Sequence, residues 1–449
     1  MQPVAAAMKR DITKSLIEWK GTEPHLPILL RGARQVGKSY IVEDFGKQHF
    51  ENHVTLNLEL SPEYKPCFDN LDPQKILTAI ELLTNTAITP GDTLLFIDEI
   101  QECPNAIMAL RYLKEKMPKL HVIAAGSLLD FTLNQENFRM PVGRVQFYYL
   151  KPFSFKEFLV AADHHKLREF IENFSWEDEI PDIIHQKLIA LVHLYCIIGG
   201  MPAAISAYLN NKSLKNAQDM QQVILSTYQT DFGKYAKHTP IEQLQLIFNK
   251  TPQLVTKQLK YSEISRDIQS RELKRSLQKL IEANLLYQTF ATKATNLPLN
   301  ALINPKKFKL LFLDTGLIQR RSNIDAEILA HGNLLSNHHG CIAEHFVGQE
   351  LLANQAVLQP PEIYYWERDV RGSSAEVDYV TDVDDQIIPV EVKAGASGKL
   401  KSLKLFMQSH STSLGVHIAA HPFGIKNNIV TLPLYLSSEL KRLLRAKLN

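Results

Sequence analysis

An α/β fold with a parallel central sheet is expected for the first third of this chain, on three observations. Short apolar runs of strand length, Pro27 to Leu30, Thr93 to Ile97 and His121 to Ala125, alternate with stretches of helical periodicity, as in sheets buried on both faces. The first run ends in Gly32-Ala33-Arg34-Gln35-Val36-Gly37-Lys38-Ser39, a strand-turn-helix glycine pattern. The second ends in an acidic pair, Asp98 and Glu99. At 449 residues the chain is too long for one core and suggests about three domains of roughly 150 residues each.

Each element has its own reason. Ile12, Leu16, Ile17 and Trp19 have helical spacing and lead into the sheet. His53 to Leu60 alternates at period 2 and reads as a second strand, and Ile76 to Leu83 reads as a helix. Pro141, Val142, Gly143 and Arg144 lead into Val145 to Leu150, a fifth strand rich in aromatic and branched residues.

The chemistry follows from where strands end. Gly32 and Gly37 permit positive φ and close backbone approach, so the N–H groups of Gly32, Ala33, Arg34, Gln35, Val36, Gly37, Lys38 and Ser39 can form a cradle for a triphosphate at a helix N-terminus. Lys38 would reach the β- and γ-phosphates and Ser39 would ligate Mg²⁺. A carboxylate at the C-terminal edge of a neighbouring parallel strand lies beside such a loop, so Asp98 would hold the metal and Glu99 would polarise the attacking water. Ser127, after the strand His121 to Ala125, suits either a γ-phosphate sensor or a plain turn. Arg144 suits either a surface position or stabilisation of the transferred phosphoryl group, in cis or across a subunit contact. ATP and Mg²⁺ are the expected cofactors.

With these, Ala125-Gly126-Ser127, and Gly143-Arg144 ahead of Leu150-Lys151-Pro152-Phe153-Ser154-Phe155, the chain resembles the prokaryotic AAA+ superfamily ATPases whose C-terminal half is a domain of unknown function. The resemblance continues in Gly199-Gly200-Met201-Pro202 and Leu313-Asp314-Thr315-Gly316-Leu317, with departures at Ala125 and Val142. It implies an AAA+ P-loop ATPase core, a helical lid, a winged-helix-like domain and a C-terminal restriction-endonuclease-like α/β domain. The expected boundaries are 1–152, 153–235, 236–300 and 301–449.

The rest of the sequence bears on partners. From Phe155 to about Asn211 the pattern is helical, interrupted at Gly199, Gly200 and Pro202. Ile241 to Phe248, a short helix capped by Ser262, and Arg271 to Leu285 running into Leu286 to Phe290 suggest a winged helix-turn-helix. Lys250 to Lys309 holds twelve basic against four acidic residues, which suits contact with DNA, or RNA, although such modules also dock proteins. Near the C-terminus, Asp378 and Glu391-Val392-Lys393 fall on adjacent strands, with Glu391 and Lys393 on one face. Two such carboxylates, with Glu344 from a preceding helix, would hold Mg²⁺, while Lys393 would position a water for phosphodiester attack. The alternative is that this domain is inactive and serves as a docking platform.

Composition excludes some classes. The formal charge is only +2, so any nucleic-acid face must be local. Four scattered cysteines without C-x-x-C spacing suggest free thiols of a reducing compartment. No apolar stretch approaches membrane-spanning length, so a cytoplasmic protein without membrane association, able to form a homo-oligomer, is expected.

Overall fold

The computed structural model describes residues 8–133, 143–235, 239–322, 340–370, 375–393 and 400–448. Pro141 and Val142, singled out above, lie outside the described residues.

Five strands, β1 (Ile28–Arg31), β2 (Asn52–Asn57), β3 (Thr93–Asp98), β4 (His121–Ala125) and β5 (Gln146–Tyr149), form a parallel sheet in the order β2-β3-β4-β1-β5. Their side chains alternate between two cores. Ile28, Leu30, Leu94, Phe96, Ile123 and Ala125 pack on one face, with Ile41, Val42 and Phe45 of the helix Lys38–His49. Leu29, Leu95, Ile97, Val122 and Ala124 pack on the other, with the helices Pro73–Thr84 and Pro104–Lys116. Covering helices on both faces explain why the strands read as continuous apolar runs. The register pairs Leu30 with Ala125 and Ile97 with Ala124, so the C-terminal ends of β1, β3 and β4 line one edge. In open parallel sheets that edge, where the connection from β1 leaves its neighbours, is where ligands bind.

Helices Phe155–Ala161, His165–Asn173, Asp182–Ile198, Pro202–Asn211 and Leu214–Tyr235 follow. The first has a capping box: Glu157 N–H donates to Ser154 Oγ and Ser154 N–H to Glu157 Oε2. The buried face of these helices continues the core that covers β1, and the same core extends into the C-terminal third. The glycine and aspartate motifs meet here. Gly200 N–H donates to Asp314 Oδ2 at 2.5 Å, and a Cβ on Gly199 would collide with the Asp314 carboxylate.

Helices Ile241–Leu254, Tyr261–Ile264 and Ser270–Glu282 are followed by the hairpin β6 (Leu286–Thr292) and β7 (Ile303–Phe312). Residues Val255 and Gln258 bridge to Leu310 and Lys309 of β7. Ser262 lies inside the short helix, whose N-cap is Lys260 without a side-chain cap, so the expected serine cap is corrected.

β6 also pairs in parallel with β8 (Ile363–Glu367), which continues through β9 (Glu376–Val383), β10 (Gln386–Val392), β11 (Gly415–Ala419), β13 (Ile429–Pro433) and β12 (Gly424–Lys426). The hairpin and the C-terminal strands are therefore one eight-stranded sheet. This corrects the expected boundary at 300, which falls between two paired strands. β8, β9 and β10 are antiparallel neighbours, whereas β10, β11 and β13 are parallel. Helix Gly340–Ala353 precedes β8, and helix Lys401–Ser409 connects β10 to β11. All four cysteines are free thiols, three of them buried. Among the described residues no single helix is long and apolar enough to cross a membrane.

Candidate functional site

The loop after β1 curls through positive φ at Gly32, Gln35 and Gly37. A Cβ on Gly32 would collide with the carbonyl oxygen of Leu150 on the adjacent strand end, so only glycine fits. The loop's carbonyls are occupied by side chains, some of them from outside the loop. Arg10 Nη1 donates to Val36 O at 3.0 Å, Tyr228 Oη to Arg34 O at 2.8 Å, and Lys38 Nζ to Gly32 O and Ala33 O at 2.9 Å each. With the acceptors so engaged, the loop's N–H groups are the ones left to face a ligand, the polarity that an anion cradle requires.

Lys38 is buried, and desolvation pulls its pKa down to about 8, against the opposing pull of Glu99 and Asp98. The two carbonyl oxygens it now touches stand in for phosphate oxygens. Ser39 Oγ donates to Asp98 Oδ2 at 2.7 Å, and Asn57 Nδ2 reaches the same oxygen at 3.3 Å. Burial raises the Asp98 pKa, with the Ser39 hydrogen bond opposing. A hydroxyl paired with a carboxylate at the mouth of the cradle is a hard-oxygen donor set that fits Mg²⁺.

Glu99 sits next to this pair with φ 49°, an uncommon left-handed backbone for a residue with a side chain. Gln101 Nε2 donates to Glu99 Oε2 at 2.6 Å, and Ser127 N and Oγ lie 3.5 Å from the same oxygen. Gly126 lets Gln101 reach in, because a Cβ there would strike Gln101 Oε1. The structure thus brings Lys38, Ser39, Asp98, Glu99 and Ser127 to one edge. Arg144 is elsewhere. It precedes β5, at the opposite end of the sheet from the loop, and its Nε pairs with Glu115 Oε1 at 3.0 Å on the surface. The cis alternative for Arg144 is therefore corrected: a parallel strand separates it from the site of its own chain.

Sequence reasoning missed the grip of the helix Leu214–Tyr235 on the loop. Arg34 Nη1 contacts both carboxylate oxygens of Asp231, at 2.6 and 2.8 Å, and Lys234 pairs with Glu59 at 2.7 Å. Burial lowers the Arg34 pKa, but Asp231 and Glu59 more than offset it. Asp231 follows Arg34 by 197 residues, so no local pattern announced it.

The second constellation lies on the eight-stranded sheet. The register of Val390 with Tyr379 brings Glu391 level with Asp378 on the neighbouring strand, and Val392 N–H donates to Asp378 Oδ2 at 2.7 Å. Lys393 Nζ pairs with Glu391 Oε1 at 2.9 Å. Glu344 is carried by the helix Gly340–Ala353. Its Oε1 accepts from Lys309 Nζ at 2.8 Å. Lys309, on β7, also meets Glu376 Oε1 at 2.5 Å and Asp378 Oδ1 at 3.9 Å, and its ammonium lies over the ring of Tyr365 at 5.1 Å. Only 2% of its side chain is exposed. Burial pushes Glu344 up to about 8 and Glu391 to about 7; for Lys309 burial pulls down, but Glu344, Asp378 and Glu376 together raise it above the ordinary lysine value. Among the described residues, no group of three or more His, Cys, Asp or Glu is arranged to hold a metal ion. The expected Mg²⁺ among Glu344, Asp378 and Glu391 does not fit this arrangement, because an ammonium stands where their charges converge. Lys309 and Glu376 were not singled out from sequence, and Lys309 counted only as one of twelve basic residues.

A third feature is the helix Ser270–Glu282. Its apolar face, Leu273, Leu277 and Leu280, is buried, and Arg271, Lys274 and Arg275 are exposed on the other.

Residues 24–159 match an AAA domain family, residues 189–327 a domain of unknown function (DUF8612), and residues 339–436 a domain of unknown function (DUF4143). The chain is similar in structure to the Walker-type ATPase PABY2304 of Pyrococcus abyssi, at 16% identity over 70% of this chain and 96% of that one, with a TM-score of 0.45. It is similar also to the Aeropyrum pernix ORC2 protein in its ADPNP–ADP complexes, at 11% identity over 74% and 94% of the two chains, TM-score 0.33. A third likeness is to the Thermotoga maritima RuvB Holliday junction branch migration motor, at 14% identity over 63% and 88%, TM-score 0.27. These structural likenesses are weak. No curated protein matches the chain.

Proposed function

We propose that this chain, whose N-terminal segment is an AAA+ ATPase, uses ATP binding and hydrolysis to control a nucleic-acid-binding face on its middle segment. The observation that carries the reading is the joining of the phosphate loop to the lid through Arg34, Tyr228 and Asp231, because a ligand that repositions the loop must act on that helix. In this reading the loop Gly32 to Ser39 cradles ATP, Lys38 turns from the carbonyls to the phosphates, and Ser39 and Asp98 would hold Mg²⁺, which supplies charge neutralisation at the phosphates. Glu99, steadied by Gln101 and Ser127, orients the attacking water, and Arg144 acts on the site of a neighbouring subunit.

The helix order Ile241–Leu254, Tyr261–Ile264, Ser270–Glu282 with a following hairpin supports a winged-helix arrangement, in which Ser270–Glu282 presents Arg271, Lys274 and Arg275 to phosphates of DNA or RNA. The C-terminal order of one helix, three antiparallel strands, one helix and a parallel strand supports a restriction-endonuclease-like fold. The hydrolytic reading of that fold assigns Glu344, Asp378, Glu391 and Lys393 to a metal-dependent nuclease site. The docking-platform reading is favoured by Lys309, which already neutralises those carboxylates. ATP turnover with and without duplex, branched and single-stranded nucleic acid tests the main reading; turnover indifferent to all of them, with no binding in any nucleotide state, would overturn it. Cleavage by the same preparation, lost in Asp378→Asn, would restore the hydrolytic reading.

A further inference from the structure

The carboxylates of the C-terminal domain carry an inference that rests on the nuclease-like reading of its fold only for the kind of ion expected there. Glu344, Glu376 and Asp378 come from one helix and one strand, yet all three point at one ammonium. That ammonium comes from neither element. Lys309 is carried by β7, three strands away from Asp378 along the sheet, and β7 is bridged through Lys309 itself to Gln258 of the three-helix segment. A lysine so fully removed from water is costly to charge unless carboxylates surround it, and a carboxylate group so crowded is costly to ionise unless a cation is present. Each group thus makes the other tolerable.

We propose that Lys309 is the resident cation of this site, occupying the position of a divalent metal ion and excluding it for as long as β7 is in place. The donor chemistry is that of a hard-cation site. The oxygens converging on Nζ are carboxylates, and the second oxygen of Glu391, a residue only 3% exposed, is buried without a hydrogen-bond partner. The distances fit an ammonium and not a metal: Glu344 and Glu376 lie 2.8 and 2.5 Å from Nζ, whereas Mg²⁺ needs oxygens at about 2.0–2.1 Å. With the ammonium gone, Glu344 and Glu376 need draw in by under about 1 Å to meet a divalent ion, and Asp378, now 3.9 Å from Nζ, by about 2 Å. The cation is thus part of the chain, supplied by the segment that bears the basic helix.

The test uses the full chain, free of nucleotide, titrated with Mn²⁺ and followed by the loss of the free Mn²⁺ signal in electron paramagnetic resonance. The wild type should bind no Mn²⁺ that Asp378→Asn removes. Lys309→Met should bind one Mn²⁺ at least tenfold more tightly than any site of the wild type, and the double variant with Asp378→Asn should lose it. Mn²⁺ bound by the wild type in an Asp378-dependent way would overturn the proposal, as would a folded Lys309→Met that binds none. If Lys309→Met does not fold by circular dichroism, Lys309→Gln replaces it with the same two outcomes, and the wild-type comparison with Asp378→Asn still decides the exclusion. Nucleic-acid-stimulated ATP turnover, measured on the same wild-type preparation, reports separately on the function proposed above.

Discussion

Binding of a nucleotide triphosphate should take up a proton at Lys38 and weaken as the medium becomes alkaline. In the free protein, desolvation holds this ammonium at about 8, against an ordinary value of 10.5. The sign follows directly. The folded value is depressed, so charging Lys38 costs the empty fold most below pH 8, and that cost fades as pH rises toward 10.5. Phosphates would supply the missing counter-charge and return the group toward its ordinary value, so binding favours the protonated lysine. Above pH 8 the empty site must first acquire the proton, and affinity falls by close to tenfold per pH unit, about 1.4 kcal/mol. Between pH 7 and pH 9 the expected loss is about tenfold, because the protonated fraction drops from roughly nine-tenths to one-tenth. Calorimetry with a non-hydrolysable ATP analogue, in two buffers of different ionisation enthalpy, measures both quantities. Near pH 8 about half a proton should be taken up per nucleotide. An affinity unchanged from pH 7 to 9 with no proton uptake would refute the reasoning.

The other expectations are independent of that one. Glu99→Gln should retain ATP binding and lose turnover by about a hundredfold or more, and hydrolysis at the wild-type rate would remove Glu99 from its role. Arg144→Ala and Lys38→Ala subunits, each inactive alone, should partly restore turnover when mixed; light scattering that finds monomers in every nucleotide state would count against a contribution between subunits. Asp231→Asn should loosen the helix Leu214–Tyr235 by on the order of 1 kcal/mol, since Arg34 is partly exposed, and should speed its amide hydrogen exchange in the free protein; unchanged exchange would mean that the pair does not tether that helix. Replacing Arg271, Lys274 and Arg275 by Ala should flatten the dependence of log affinity for duplex DNA on log salt by up to about three, and an unaltered slope would place the nucleic-acid face elsewhere.

The five-stranded parallel sheet was legible because both its faces are covered, which makes each strand a continuous apolar run with a hard stop. The phosphate loop was legible because all of its parts lie within eight consecutive residues. What escaped were contacts made across the chain. Arg34 pairs 197 residues on, and Lys309 meets Glu344, Glu376 and Asp378 across 35 to 69 residues of intervening sequence with no periodicity to mark it. Glu376 carries no signal of its own in the sequence, because alternating charges on a strand usually face water. The boundary at 300 failed for a related reason. A hairpin that serves the preceding helices was also the edge on which the next sheet was built, and sequence patterns record strands without recording which neighbours they choose.

That shared hairpin is where the two constellations meet. Asp231 and Tyr228 hold the phosphate loop from one side of the helix Leu214–Tyr235, and Phe232 of the same helix packs edge-on against Phe248 at 5.3 Å. Phe248 in turn packs against Phe312 of β7 at 5.3 Å, three residues along the strand from Lys309. The three rings of this series are buried in one core, and the partly exposed Arg34–Asp231 pair joins them to the phosphate loop. Close-packed interiors resist small displacements, so a shift of the helix Leu214–Tyr235 must either be absorbed by the Phe232–Phe248–Phe312 stack or move β7. Moving β7 would carry the Lys309 ammonium with it. The exchange behaviour of Asp231→Asn therefore bears on more than that helix: protection lost in Leu214–Tyr235 and retained in Ile303–Phe312 would mean that the stack absorbs the motion, whereas loss in both would mean that the phosphate loop and the carboxylate cluster are bound into one mechanical unit.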